Sequence, residues 1–280
     1  MGGMRGPEGA GGAWSSNLGI ATDLMLLAQT GIVRPQDDYI VVRTPGAPEY
    51  YFGNLLVLHA RPADADRARL EADFCERVGS PPLIRHRTFL WPDCETPVSG
   101  LEAYVDAGYD VAHCCVLTAE AGGLQGTATH PGVEVRPFRN QADWDQWAAM
   151  HVADHGVPSA DDTFARYLAH QQAAYKHLIA QGLGDWWGAY LDGQQVGSLG
   201  LFGFDGLARF HSVLTAGAHR NRNICRTLVS EVAARARRWA HTLVIVADER
   251  HHAGRIYEGM GFRRSQWVTS LCYEPPAAST

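Results

Sequence analysis

The chain has 280 residues, more than a typical single domain, so two domains or two related halves are the first expectation. Hydrophobic residues make up 46% of it and charged residues 19%, which gives enough apolar surface for a packed core and too little charge for a disordered chain. The net charge of −6 argues against nucleic acid as a partner, because neutralising phosphates needs a basic excess.

The basic residues are unevenly spread. Arg220, Arg222, Arg226, Arg235, Arg237 and Arg238 fall close together, and local positive charge in an acidic chain suits a small polyanion. The six cysteines contain no CxxC pair, so reduced thiols in a cytoplasm are expected rather than a disulfide framework. Residues 1–14, MGGMRGPEGAGGAW, lack an apolar signal core and read as a flexible tail. No apolar run approaches the roughly 18 residues of a membrane span, so no membrane partner is expected.

In chain order, Leu18, Ile20, Ala21, Leu24, Leu27 and Ala28 recur at helical spacing, with Gly31 as the stop. Strands are expected at Tyr39–Arg43 and Tyr50–Leu58, joined by the turn Pro45-Gly46-Ala47-Pro48. Then come an amphipathic helix over Asp64–Val78, a strand over Pro82–Trp91, a short helix over Gly100–Gly108 and a strand over Val111–Thr118. Small and polar residues dominate from Ala119 to Pro131, which marks a linker at about 121–132.

The second half is more regular. Val133–Pro137 is a short strand, Asn140 caps a helix over Gln141–Val152, and a second helix covers Asp162–Ala180. Strands Trp186–Leu191 and Gln195–Phe202 flank Asp192-Gly193, a tight-hairpin signal. A strand over Ala208–Thr215, a helix over Asn223–Ala240, a strand over Leu243–Ala247, a helix over Ala253–Gly259 and a strand over Trp267–Tyr273 follow.

The segment Leu214–Leu228, LTAGAHRNRNICRTL, carries the chemistry. A strand ends, three arginines pass in a short loop, and a helix begins at once. Such a helix start offers unpaired N–H groups and the positive end of the helix dipole, an anion site to which Arg220, Arg222 and Arg226 add forked donors. The alternative is a solvated basic helix start.

Here the chain resembles the GNAT superfamily of acetyl-CoA-dependent N-acetyltransferases. That family's signature is Arg/Gln-x-x-Gly-x-Gly/Ala between its fourth strand and the next helix, and the matching stretch is Arg220-Asn221-Arg222-Asn223-Ile224-Cys225. Both glycine positions are changed. Asn223 is tolerable because Asn visits left-handed backbone readily, whereas Cys225 is bulkier than Gly and narrows the approach. The stretch from Ala253 to Phe262 resembles the family's Ala-x-x-x-Tyr-x-x-x-Gly-Phe segment, at the expected distance after Leu243–Ala247.

The resemblance covers residues 133–275. It implies a mixed α/β GNAT fold, a mostly antiparallel central sheet flanked by helices, with acetyl-CoA as co-substrate and no metal. It implies that Tyr257 protonates the departing thiolate, that Leu214 and Thr215 give backbone groups to the pantetheine arm, and that Arg220 to Arg226, with Asn221, Arg222, Asn223, Ile224 and Cys225 between them, bind the pyrophosphate. His211 on the fourth strand is the candidate base, since an unperturbed pKa of about 6.5 suits proton removal near neutrality; the competing reading is a histidine packed beneath the cleft.

Other features are weaker. His151 and His155 flank Asp154 at a metal-ligand spacing but have neither a zinc-protease glutamate nor a third ligand. His251-His252 read as a loop pair before the Tyr257 helix, and Trp186-Trp187 as strand core. In the first half, Tyr104, Gly108 and Tyr109 echo Tyr-x-x-x-Gly-Phe, while His59 to Asp64 has no glycine pattern and Pro62 lacks a backbone donor. Residues 15–120 are therefore expected to be a smaller, degenerate GNAT-like domain that no longer binds CoA, the alternative being an unrelated α/β domain, and 133–280 the N-acetyltransferase domain. Pro48–Asn54 is expected either in the acceptor wall or between the halves.

The expected function is acetyl transfer to a primary amine by direct attack. Its rivals are a non-catalytic acyl-CoA-binding regulatory module and a zinc hydrolase built on His151 and His155. The acceptor is a small molecule or peptide amine; amino sugar, polyamine, antibiotic and protein amine all stay open, as does monomer against homodimer.

Overall fold

The structure, a computed structural model, describes residues 15–95, 99–124, 129–156 and 162–274. The tail expected over 1–14 lies outside the described residues, as does the linker expected over 121–132 at residues 125–128.

The first half is built from α1 (Leu18–Thr30), β1 (Ile32–Pro35), β2 (Tyr39–Arg43), β3 (Leu55–Leu58), α2 (Arg67–Arg77), β4 (Arg87–Asp93), α3 (Glu102–Asp106) and β5 (Tyr109–Glu120). The second half follows as β6 (Glu134–Pro137), α4 (Gln141–His155), α5 (Asp162–Ala180), β7 (Gly184–Leu191), β8 (Gln194–Phe204), β9 (Leu207–Thr215), α6 (Ile224–Ala236), β10 (Thr242–Asp248), α7 (Ala253–Glu258) and β11 (Arg263–Tyr273).

All eleven strands form one sheet in the order β1-β2-β3-β4-β11-β5-β10-β9-β8-β7-β6. The order is symmetric about the antiparallel β11–β5 pair, with β4 matching β10, β3 matching β9, β2 matching β8 and β1 matching β7. The parallel pairs β3–β4 and β10–β9 sit at matching places, and α2 and α6 cross between them. Each half thus has its sheet completed by the other's last strand: β11 lies between β4 and β5, and β5 lies between β10 and β11.

Both sheet faces are covered, as apolar strands demand. Leu228 and Val232 of α6 pack on Ile245 and Phe262, while Phe74 of α2 and Tyr104 of α3 pack on Phe89 and Trp91 along the same face. On the opposite face Ile20 and Leu24 of α1 meet Val116 and Val244, and Trp144, Trp147 and Tyr175 of α4 and α5 enclose Trp186 and Phe202.

Two expected elements differ. Tyr50–Leu58 is a strand only from Leu55, because buried Asn54 ties the preceding loop into a turn. Its Nδ2 donates to the carbonyls of Ala47 (2.8 Å) and Tyr50 (3.0 Å), and its Oδ1 accepts from the Thr44 N–H (2.9 Å). The strand expected from Pro82 begins at Arg87, since Pro81 and Pro82 have no N–H for a ladder.

Candidate active site

The parallel pair β9–β10 opens into a cleft. The two strands pair only over Thr242–Val244 with Leu207–Arg209; β9 then runs on to Thr215 and β10 to Asp248 without pairing to each other. The backbone of β9 facing the gap is left with donors and acceptors for an extended, amide-bearing ligand. Beside it β9 carries a bulge: Gly200 faces His211 and Ser198 faces Leu214, so two residues of β9 oppose Leu199. Ser212 adopts φ 47°, a left-handed conformation costly for a non-glycine residue and typical of strained backbone at a site.

At the far end of β9 the chain turns through Thr215–Asn223 into α6. Asn221 and Asn223 both have φ 60°, and Asn223 at the helix start makes no side-chain cap bond. The first turn is thus left without a side-chain cap beside a run of arginines, an arrangement with the physical features of an anion cradle. Arg222 reaches the His219 ring (3.3 Å) and Arg226 the Gly259 carbonyl (3.2 Å). Arg220 is held by the Asp154 carboxylate and donates to the Thr215 carbonyl (3.3 Å), so it braces the loop against α4.

A cavity of about 420 Å³ fills the cleft and continues between the halves. Tyr257 of α7 lines it, with its ring buried and the Cys225 thiol against its hydroxyl. Burial first, and Cys225 second, push the phenol well above its ordinary range, so it keeps its proton. Burial likewise pushes the Cys225 thiol up to about 11, which leaves it a poor nucleophile.

Across the cavity stand His211, Arg209 and Asp23, the last from α1 of the first half. Arg209 is buried and donates through Nη2 and Nε to Asp23 Oδ1 (3.0 and 3.3 Å), and His211 Nε2 lies 3.6 Å from the same oxygen. Burial opposes ionisation of Asp23, but the Arg209 guanidinium and the His211 ring outweigh it and hold the carboxyl below its usual range. Tyr50 and Phe52, displayed by the Asn54-tied loop, and Tyr175, whose ring lies 5.9 Å from that of His211, complete the wall.

The acetyltransferase (GNAT) domain family matches residues 182–264, the segment from β7 to the start of β11 that holds the cleft, the anion cradle and Tyr257. By that match, residues 182–264 are similar to a GNAT domain. No curated protein sequence matches the chain significantly. Among solved structures, a GCN5-related N-acetyltransferase from Kribbella flavida superposes with a TM-score of 0.63 at 14% identity, covering 93% of this chain and 97% of that one. A functionally unknown conserved protein from Staphylococcus epidermidis gives 0.65 at 16% identity, covering 87% and 94%. A tandem GNAT protein from the clavulanic acid biosynthesis pathway gives 0.52 at 12% identity, covering 92% and 89%. At such identities the likeness shows the fold, and it extends across both halves.

Within residues 182–264, Leu214 and Thr215 lie half-buried at the open end of β9, and Arg222, Asn223 and Arg226 gather at the start of α6. Ile224 contributes only its backbone, because its side chain is core. Tyr257 and His211 line one cavity. The spacing of His151 and His155 serves packing instead. His151 is buried against Trp147 (4.6 Å between rings) and His155 Nδ1 donates to the His151 carbonyl one turn before it (3.0 Å). Among the described residues no group of three or more His, Cys, Asp or Glu side chains could hold a metal ion, and no helix is long and apolar enough to cross a membrane.

Asp23 and Arg209 were not legible as site residues, whereas Tyr50 and Phe52 fall in the Pro48–Asn54 stretch expected in the acceptor wall or between the halves. Asp23 reads in the sequence as one polar position of an amphipathic helix, and only the packing of α1 over β10 and β11 brings it to His211.

Proposed function

We propose that the chain transfers an acetyl group from acetyl-CoA to a primary amine by direct attack of the amine on the thioester carbonyl. The observation that carries this is the pairing, across one cavity, of a protonated buried phenol with a histidine backed by a carboxylate. The residues present suit acetyl-CoA: the αL asparagines and open helix start suit its pyrophosphate, and the unpaired stretch of β9 suits its amide arm.

In this reading the amine nitrogen forms the new C–N bond as the C–S bond breaks. His211, directly or through a water, takes the proton that the nitrogen loses, and the Asp23 carboxylate stabilises the resulting imidazolium. The Tyr257 hydroxyl gives a proton to the sulfur as charge develops there. Holding both substrates in line supplies much of the rate.

The first half, in the same reading, is a GNAT-like repeat whose cradle is closed. At the equivalent helix start Pro62 has no N–H, and Asp64 and Asp66 put carboxylates where phosphate would lie. Asp66 accepts the Ala63 N–H (2.9 Å), which lowers its carboxyl and keeps it ionised. Tyr104, the counterpart of Tyr257, is sealed in the core with its hydroxyl toward the Ala63 carbonyl (3.5 Å).

A second reading, an acyl-CoA-binding regulatory module, is favoured by the tether of Arg220 to Asp154 and by Cys225 at a glycine position. Amine-dependent release of CoA separates the two. Transfer predicts release that falls about 10²-fold in kcat for Tyr257→Phe while acetyl-CoA affinity is kept. Binding of acetyl-CoA without release in a broad amine panel supports the regulatory reading.

A further inference from the structure

Resting on the acetyl-transfer reading, we propose that the acceptor is a small primary amine whose remaining body is apolar and bears no second charge. Asp23 is paired with Arg209 at 3.0 Å, and Asp248 is paired with Arg250 at 2.8 Å. Among the described residues at the cavity, each carboxylate is already matched by a guanidinium. A second ammonium, as in a polyamine or an aminoglycoside, would enter an apolar site with no unmatched carboxylate to receive it. A carboxylate, as in an amino acid, would compete with Asp23 for the Arg209 guanidinium. Either would leave a desolvated charge unpaired.

Much of the rest of the wall is apolar. Leu90, Val213 and Val246 present half-buried side chains from β4, β9 and β10, and Tyr50 and Phe52 close the opposite side. Phe52 is 44% exposed and stands on the rim of a concavity rather than on a convex surface. Asn54 and Thr44 fix the loop that carries it, so the ring is held in place beforehand. The size of the cavity, about 420 Å³ and shared with the reactive end of the thioester, admits a small molecule and not a folded protein surface. In this placement the amine lies at His211 and Asp23, and its body lies between the rings of Tyr50 and Phe52 and the strand residues.

The test compares 2-phenylethylamine and n-hexylamine with spermidine and glucosamine. Each is titrated calorimetrically into the CoA-saturated protein and assayed for CoA release from acetyl-CoA. The two apolar monoamines should bind at least about tenfold more tightly than the other two, with kcat/KM in the same order. Phe52→Ala should raise the KM for 2-phenylethylamine about fivefold with a smaller change in kcat, as loss of one apolar contact requires. Spermidine or glucosamine matching the apolar amines, or no amine binding at all, would overturn the proposal. Apolar amines binding in the expected order without any CoA release would keep the ligand class and remove the transfer reading.

Discussion

Asn223 shows how one residue can be read for its backbone. The family's glycine at this position exists for a left-handed conformation, and asparagine is the side chain that adopts it at least cost; φ is 60° there. Tyr257 was legible for a similar reason, since its motif is contiguous along one short helix and the turn after it. Asp23 was not, because its role depends on α1 folding back across the sheet from the other end of the chain. Its importance is tested by Asp23→Asn, which keeps the shape and removes the charge that stabilises a protonated His211. With acceptor amine saturating, kcat should fall about tenfold while acetyl-CoA affinity is kept. An unchanged kcat with full stability would mean that Asp23 does not act through His211.

Elements with regular periodicity and punctuation were legible almost to the residue. The helix expected over Asp162–Ala180 is α5, and Asp192-Gly193 turns β7 into β8 with φ 51° and 80°. The Tyr50–Gly53 loop was not, because its shape is set by buried side-chain bonds of Asn54 and not by periodicity. β1 was missed as a four-residue edge strand ending in proline. Buried histidines at these element junctions give a pH signature. Burial lowers both His86, stacked under Tyr51, and His151 to about 4. Each is neutral in the folded chain, whereas the unfolded chain takes up protons near 6.5. Their stabilising contribution is thus complete above about pH 6.5 and is lost as pH falls toward 4. The thermal midpoint should decline through that window, and the decline should shrink in His86→Gln with His151→Gln. A flat midpoint from pH 6.5 to 4 would contradict the burial of both rings.

At the scale of the whole molecule the sheet is one object. A linker at 121–132 suggested two domains side by side, and the composition of that stretch carries no sign that the strands on either side of the linker exchange places. The exchange is visible only in pairing, with β5 bonded to β10 on one side and β11 on the other. It follows that residues 129–274 alone would lack the strand between β10 and β11 and expose two apolar edges. That fragment should aggregate or remain unfolded by circular dichroism, and co-expression with residues 15–124 should restore a soluble complex. A monomeric, cooperatively folding fragment would refute the interdependence of the halves. The same exchange explains why the catalytic histidine proposed in one half can lean on a carboxylate from the other.

In the proposed reading the second half keeps an acetyl-CoA site at the Asn223 turn and the first half has closed its own. Calorimetric titration of acetyl-CoA, with Asn223→Gly and Asn223→Val alongside, reads this out. One site per chain is expected, retained in Asn223→Gly and weakened about tenfold or more in Asn223→Val, since a β-branched residue resists positive φ. Two sites per chain, no binding at millimolar acetyl-CoA, or binding indifferent to both substitutions would contradict it.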